Sequence, residues 1–419
     1  MVNEKMVNKI VNRRSALPLG VAKKFLNRKY LHQMNPFDDI RSFNDNEVPA
    51  GLARLCDEKQ FVNFVSTVYP LMPKDIIKQK LKSFTSSYKL HEEFMIPFFR
   101  DIEANLTKGI DLLGLEKIDT SKSYLYISNH RDIVLDAAFL CLKFVENKID
   151  TVEIAVGDNL LLLPWIEQFV RVSRAFIVKR GGTVRQIFEN SKLLSAYIFS
   201  VINEKKRSIW LAQREGRSKD SDDRTQESLL KMLNMNGKTT NMAQNLMPLN
   251  ICPLNISYEY DPCDYLKAKE LQQRRDDPDF QKLQKDDLLS VRTGVMGYKG
   301  KIVYSITGCI NADLQTISEN ITDKNIAAKE IATLIDSRIH SNYTIFNINK
   351  IAFDLLHNTN RFNSEYSLME KLNFERYIQK QIAKIDLAEK DIDFLMKKLL
   401  EMYSNPLKNF MMSRELLTV

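Results

Sequence analysis

The sequence predicts an α/β fold: a mixed, mostly parallel sheet layered by helices, with helical regions before and after it. Three observations predict it. Between about residues 117 and 310, short runs rich in aromatic and β-branched residues alternate with stretches of helical periodicity. On either side, apolar residues recur at three-to-four spacing without such runs. The chain has 419 residues, 44% of them hydrophobic and 27% charged, which is enough apolar material for one large domain or two to three smaller ones. The expected organisation is a basic segment at 1–45, a helical region at 46–116, the α/β domain at 117–310 and a second helical region at 311–419.

The strand runs are Tyr124–Ile127, Val152–Val156, Ala175–Val178, Ser208–Leu211, Asn250–Ile256 and Lys301–Ile306. Helices fit between them at about 133–146, 184–203 and 264–273. Upstream, Leu52, Leu55, Phe61, Phe64 and Val65, then Ile76, Ile77, Leu81 and Phe84, mark helix faces that read as core rather than as a ligand box. Downstream, 321–339 and 382–403 carry the same spacing. Residues 1–31 hold eight cations, from Lys5 to Lys29, against the single acid Glu4. That segment reads as an amphipathic membrane-surface element or as a disordered basic tail.

The formal net charge of +8 suits an anionic partner: a membrane surface, a phosphorylated substrate or nucleic acid. A merely solvated basic surface accounts for it equally well, and no basic-aromatic motif points to nucleic acid. The five cysteines are scattered with no CxxC pair, so a reducing, cytoplasmic compartment is expected, without disulfides or a zinc site. No run approaches the ~18–20 apolar residues of a spanning helix. The strongest, Leu160-Leu161-Leu162-Leu163-Pro164-Trp165-Ile166, is short and broken by proline, and no signal peptide is evident. Any bilayer contact is therefore expected to be peripheral, at the inner face of the cytoplasmic membrane.

Four segments carry the chemistry. The first is Asn129-His130-Arg131-Asp132-Ile133-Val134-Leu135-Asp136, between a strand and a helix. In α/β sheets, chemistry gathers at the carboxyl ends of strands, and His130 sits at one. A histidine there with carboxylates two and six residues on is a general base with candidate orienting partners. Residues i and i+6 of a helix point about 240° apart, so His130 reaches Asp136 only by folding back over the first helical turns. Asp132 is placed to cap that helix. Asp132 and Asp136 lie one turn apart on a common face, so both carboxylates could sit beneath the imidazole.

The second segment runs from Gly157-Asp158-Asn159-Leu160 to Phe176-Ile177-Val178-Lys179-Arg180-Gly181-Gly182 and sets two cations and two glycines after a strand. The third, Glu215-Gly216-Arg217-Ser218 after another strand, offers a turn glycine and a guanidinium able to grip a phosphate through two hydrogen bonds. The nearby Asp220, Asp222 and Asp223 lack metal-ligand spacing. The fourth, Asn250–Ile256, is an apolar strand interrupted by Pro253, which suggests an edge strand or a bulge.

In this order the four segments resemble the sequence blocks of the glycerophospholipid acyltransferases, over about residues 117–310. Asn129-His130…Asp136 is similar to the first block, Phe176–Arg180 to the second, Glu215–Ser218 to the third and Ile251–Ile256 to the fourth. The longer strings look like a bacterial subgroup of lysophosphatidate and glycerol-phosphate acyltransferases. Two departures stand out: five residues rather than four separate His130 from Asp136, and the residue usually found between Gly216 and Arg217 is missing.

The resemblance implies a glycerolipid acyltransferase fold without metal, cofactor or covalent acyl-enzyme. It implies acyl transfer from acyl-CoA or acyl-carrier protein to a hydroxyl of a glycerol-phosphate or lysophospholipid, with phosphatidic acid as a typical product. His130 would be the base, with Asp136 or Asp132 orienting it. Arg217, Lys179 and Arg180 would hold the acceptor phosphate, and Glu215, Gly216 and Ser218 would shape the turn. A non-catalytic lipid- or acyl-carrier-binding homologue and an acyl thioesterase are the competing expectations.

Overall fold

In the computed structural model, residues 35–415 are described, so the basic segment 1–31 lies outside the described residues. The chain divides into two compact units, Met1–Arg41 and Ser42–Val419. Of the first, residues 35–41 form a turn in which the Asn35 side chain accepts the Phe37 N–H at 2.9 Å.

The second unit is built on a seven-stranded sheet ordered β1-β7-β6-β2-β5-β3-β4. The strands are β1 (Ile110–Leu113), β2 (Leu125–Ser128), β3 (Glu153–Gly157), β4 (Ala175–Val178), β5 (Ile209–Ala212), β6 (Ile251–Tyr258) and β7 (Ile302–Ile306). Every pairing is parallel except β6 with β7. The sheet is thus mixed and mostly parallel, and the carboxyl ends of β2 to β6 share one edge.

All six expected strands are present within one or two residues. β1 was not expected: its four residues continue an apolar helical pattern, and its only local marks are the flanking Gly109 and Gly114, at φ +93° and +81°. Gly114 cannot be replaced freely, because a Cβ there would stand 2.1 Å from the Ile306 carbonyl oxygen.

Pro253 corrects a second expectation. It lies neither at an edge nor at a bulge but inside β6, which is buried along its whole length between β2 and β7. Proline is tolerated because the β6–β7 ladder begins one residue later, at Leu254 opposite Ile306. The Pro253 carbonyl still accepts the Thr307 N–H and hydroxyl, at 3.1 and 2.9 Å.

The helix Leu135–Glu146 packs on the sheet, and ten of its twelve residues are buried. Phe139, Leu140, Leu142 and Phe144 join Tyr126, Cys252 and Tyr304 in the main core. Each such side chain contributes about 1.5–3 kcal/mol on burial. The helices between Val48 and Ser83 close a second apolar cluster with Val172, and those between Asn347 and Glu415 a third with Ala268. The expected helix at 184–203 is found with those bounds, held at its start by a capping box of Thr183 and Gln186. Among the described residues no helix is long and apolar enough to cross a membrane.

Candidate active site

β2 ends at Ser128, and Asn129 then ties the strand to its neighbour. The Asn129 amide donates to the Ile256 carbonyl and accepts the Ile256 N–H, both at 2.8 Å. This fixes the chain direction at the point where His130 leaves the sheet. The imidazole sits edge-on to Trp210 of β5, with centroids 5.4 Å apart, and Trp210 donates to the Ser128 hydroxyl at 3.0 Å.

His130 Nδ1 lies 2.8 Å from Asp136 Oδ2. The same oxygen accepts the N–H groups of Arg131 at 2.6 Å and Asp132 at 3.0 Å. One fully buried carboxylate oxygen therefore gathers three donors, at the first turn of a helix whose dipole favours negative charge. With Nδ1–H committed to Asp136, Nε2 carries the lone pair. It makes no hydrogen bond among the described residues, and the side chain keeps 13% exposure.

Asp132 does not touch the imidazole, which corrects the expectation that both carboxylates could lie beneath it. Its Oδ1 instead accepts from Val134 N (2.9 Å) and Leu135 N (2.8 Å), capping the helix from just before its start. Burial, and then the charge of Asp136, raise its pKa. Arg217 opposes that rise, and Lys299, a buried lysine lowered by desolvation to about 8, feels the same carboxylate.

The helix Gln284–Met296 crosses above this carboxylate at Gly294. A Cβ on Gly294 would meet Asp132 Oδ2 at 1.9 Å. Gly294→Ala is therefore expected to cost about 1–3 kcal/mol through overpacking. The usual gain of about 1 kcal/mol from replacing a helical glycine is outweighed. Denaturant unfolding checks this, and a variant more stable than wild type would show that the contact is not tight.

The loop after β5 brings Arg217 to the same place. Arg217 is 7% exposed, and its guanidinium lies in the field of Cys263, Asp132 and Asp261. Its terminal Nη1 is buried with no hydrogen-bond partner. Beside it opens a cavity of about 70 Å³ between the helices Asp264–Asp276 and Gln284–Met296, lined by Lys219, Lys267, Lys269 and Lys282 with Glu270 and Phe280. Burial pushes the Lys219 ammonium down to about 8, although Glu270 holds it at 2.8 Å. An anion arriving there would meet cations that are already partly dehydrated.

The other expected binding residues are placed differently. Gly216 makes the turn at φ +70°, and Ser218 is buried with its hydroxyl on Asp220 at 3.0 Å. Glu215 is exposed and approaches Arg180 at 3.5 Å. Lys179 and Arg180 follow the edge strand β4, three strand spacings or about 14 Å from β2. The Arg180 N–H donates to Asp158 at 3.2 Å. The structure thus joins Arg217 to the His130 loop and sets Lys179 and Arg180 at the rim.

Two buried cations beside the histidine, Arg131 and Lys267, have no role in the sequence analysis. Arg131, adjacent to the histidine, forms a double hydrogen bond with Asp223, at 3.1 and 2.7 Å, with both side chains buried. Asp223 also accepts from the Tyr343 hydroxyl at 2.5 Å. Lys267, 1% exposed, pairs with Asp261 at 2.5 Å and reaches the Arg131 carbonyl at 3.4 Å. The acids of the loop after β5 have protein partners: Asp220 holds Ser218, Asp222 holds Arg224 at 3.0 Å, and Asp223 holds Arg131.

Residues 109–257 match the acyltransferase family, a span that runs from just before β1 to nearly the end of β6. No curated protein matches the chain. Among solved structures, it is similar to the 1-acyl-sn-glycerophosphate acyltransferase PlsC from Thermotoga maritima. The identity is 12%, the alignment covers 69% of this chain and 93% of that one, and the TM-score is 0.35. The family match encloses all four sequence blocks and the His130–Asp136 pair, so the part of the chain that holds the candidate site is similar to the acyltransferases.

Proposed function

We propose that the protein transfers a fatty acyl group from an acyl thioester, carried by coenzyme A or an acyl-carrier protein, to a hydroxyl of a glycerol-phosphate or lysophospholipid. The observation that carries this reading is the Nδ1–Asp136 hydrogen bond, which leaves Nε2 as a base at the carboxyl edge of the sheet. In the proposed reaction Nε2 takes the proton of the acceptor hydroxyl as its oxygen attacks the thioester carbonyl. The tetrahedral intermediate then expels the thiolate, which recovers the proton from the imidazolium. Asp136 holds the ring in the productive tautomer and offsets the charge that forms on it. Arg217 and the lysine-lined cavity beside it give the acceptor phosphate its place, with the buried and unpartnered Nη1 as first contact.

Purified protein given acyl-CoA or acyl-carrier thioester and a panel of acceptors tests this. The panel is glycerol 3-phosphate, its monoacyl form and an amino-acid-derived lyso-lipid, with the lipids read by mass spectrometry. A new ester on a phosphate-bearing acceptor is expected. Thioester hydrolysis indifferent to the acceptor would identify a thioesterase, and binding without turnover would identify a non-catalytic homologue.

A further inference from the structure

The short apolar run at Leu160–Leu163 has no part in the chemistry above, and it follows a turn whose Asp158 meets the loop leading into a second apolar element. β4 ends at Val178, and Gly181 and Gly182, both at positive φ, turn the chain into the helix Val184–Asn203. Its first two turns stand clear of the rest of the protein, and every residue from Gly181 to Glu189 is exposed. Val184 is 86% exposed, Ile187 48% and Phe188 54%. Their i, i+3, i+4 spacing makes one apolar stripe about 6 Å long.

The turn after β3 lies alongside, since the Arg180 N–H meets the Asp158 carboxylate, and it carries Leu163 at 39% exposure. Arg185 and Lys192 flank the stripe on the helix and Lys179 and Arg180 precede it, with Glu189 on the helix and Asp158 and Glu215 beside Arg180 as the neighbouring acids. The four cations are exposed.

We infer that this rim is the surface by which the protein docks on an anionic lipid bilayer. Exposed apolar side chains ringed by cations at a helix N-terminus match a negatively charged interface whose first few ångströms are apolar. The rim stands on the same sheet edge as His130, so docking there presents the site to lipid in the membrane plane. This inference rests on the acyl-transfer reading for its purpose, but not for its test.

The full chain is mixed with vesicles of phosphatidylcholine alone or with 30 mol% phosphatidylglycerol, and bound protein is measured by flotation. Wild type is expected to bind the anionic vesicles at least tenfold better, with the difference shrinking at 0.5 M salt. Val184→Asp/Phe188→Asp is expected to lose at least tenfold of that binding. Both positions are solvent-exposed, so an unchanged circular dichroism melt is expected. The variant should keep its activity on water-soluble glycerol 3-phosphate with short-chain acyl-CoA and lose activity on acceptor held in vesicles.

Unchanged vesicle binding in the variant overturns the inference, as does loss of acyl-carrier protein binding with vesicle binding intact. Vesicle binding that depends on the rim in a protein inactive toward every acceptor would leave the docking surface standing and remove the acyl-transfer reading instead.

Discussion

His130→Ala is expected to fold as wild type does and to transfer acyl groups about 10²–10⁴-fold more slowly, the range that a positioned general base contributes. The loss should fall on kcat, because Nε2 acts on the proton that moves in the transition state rather than on substrate binding. Asp136→Asn separates the orienting role from the basic one. An amide keeps an acceptor oxygen for the Arg131 and Asp132 N–H groups, but it carries no charge to offset the imidazolium. Flipped so that its nitrogen takes the place of Oδ2, the amide would instead donate to Nδ1 and turn the proton-bearing nitrogen outward, losing both peptide contacts. A fall of similar size is expected.

Asp132→Asn is the control. It retains an oxygen for the Val134 and Leu135 N–H groups and has no contact with the ring, so kcat should drop less than tenfold. A His130→Ala protein with full activity on every acceptor would remove the proposed mechanism, and an Asp132→Asn defect as deep as that of Asp136→Asn would reassign the orienting carboxylate.

The second large effect concerns stability. Burial alone would lower the Arg131 pKa; the neighbouring Asp223 reverses that and keeps the guanidinium charged. Asp223→Ala leaves this cation in the interior without a counter-ion, and about 3–5 kcal/mol of destabilisation is expected. Arg131→Met/Asp223→Leu removes both charges together and should recover most of that loss, because an apolar pair of similar volume is often neutral in such a place. The double variant is also informative about catalysis. The Arg131 backbone N–H is one of the three donors on Asp136, so a loop freed from its anchor can shift the imidazole. Even about 1 Å of displacement can cost up to about 10²-fold in kcat. Urea unfolding of the three proteins, with kcat measured on the double variant, checks both halves. A double variant as unstable as Asp223→Ala would mean that the pair is not the cause.

Much of this site could be read from residue order, and the reasons are local. β2 is legible because Tyr124–Ile127 is short, aromatic and β-branched, and because a cap-forming aspartate follows it. The placement of His130 at a strand end follows directly. The choice between Asp132 and Asp136 is not local. It depends on a loop folding back so that two backbone N–H groups and a ring nitrogen converge on one oxygen, and helical geometry gives no forecast of that. Arg131–Asp223 is further out of reach, since it joins residues 92 apart through the pairing of β2 with β5. Gly294 and Lys267 lie beyond the matched span 109–257, on helices whose periodicity says nothing about which neighbour they cover. β1 is the opposite case, local but too brief to stand out from the helical pattern that precedes it.

The three-donor carboxylate of Asp136 bears on how such proteins are recognised. What matters to it is that a ring nitrogen and two peptide N–H groups arrive at one point, and an extra residue in the loop is absorbed as long as its side chain has somewhere to go. In this loop the side chain after the histidine is a guanidinium, and its berth is an acid from the loop after β5. A search pattern that demands a fixed gap of four between histidine and aspartate would discard this chain. One that allows a gap of five when a long cation follows the histidine, and an acid follows the third block, would retain it and any others built the same way.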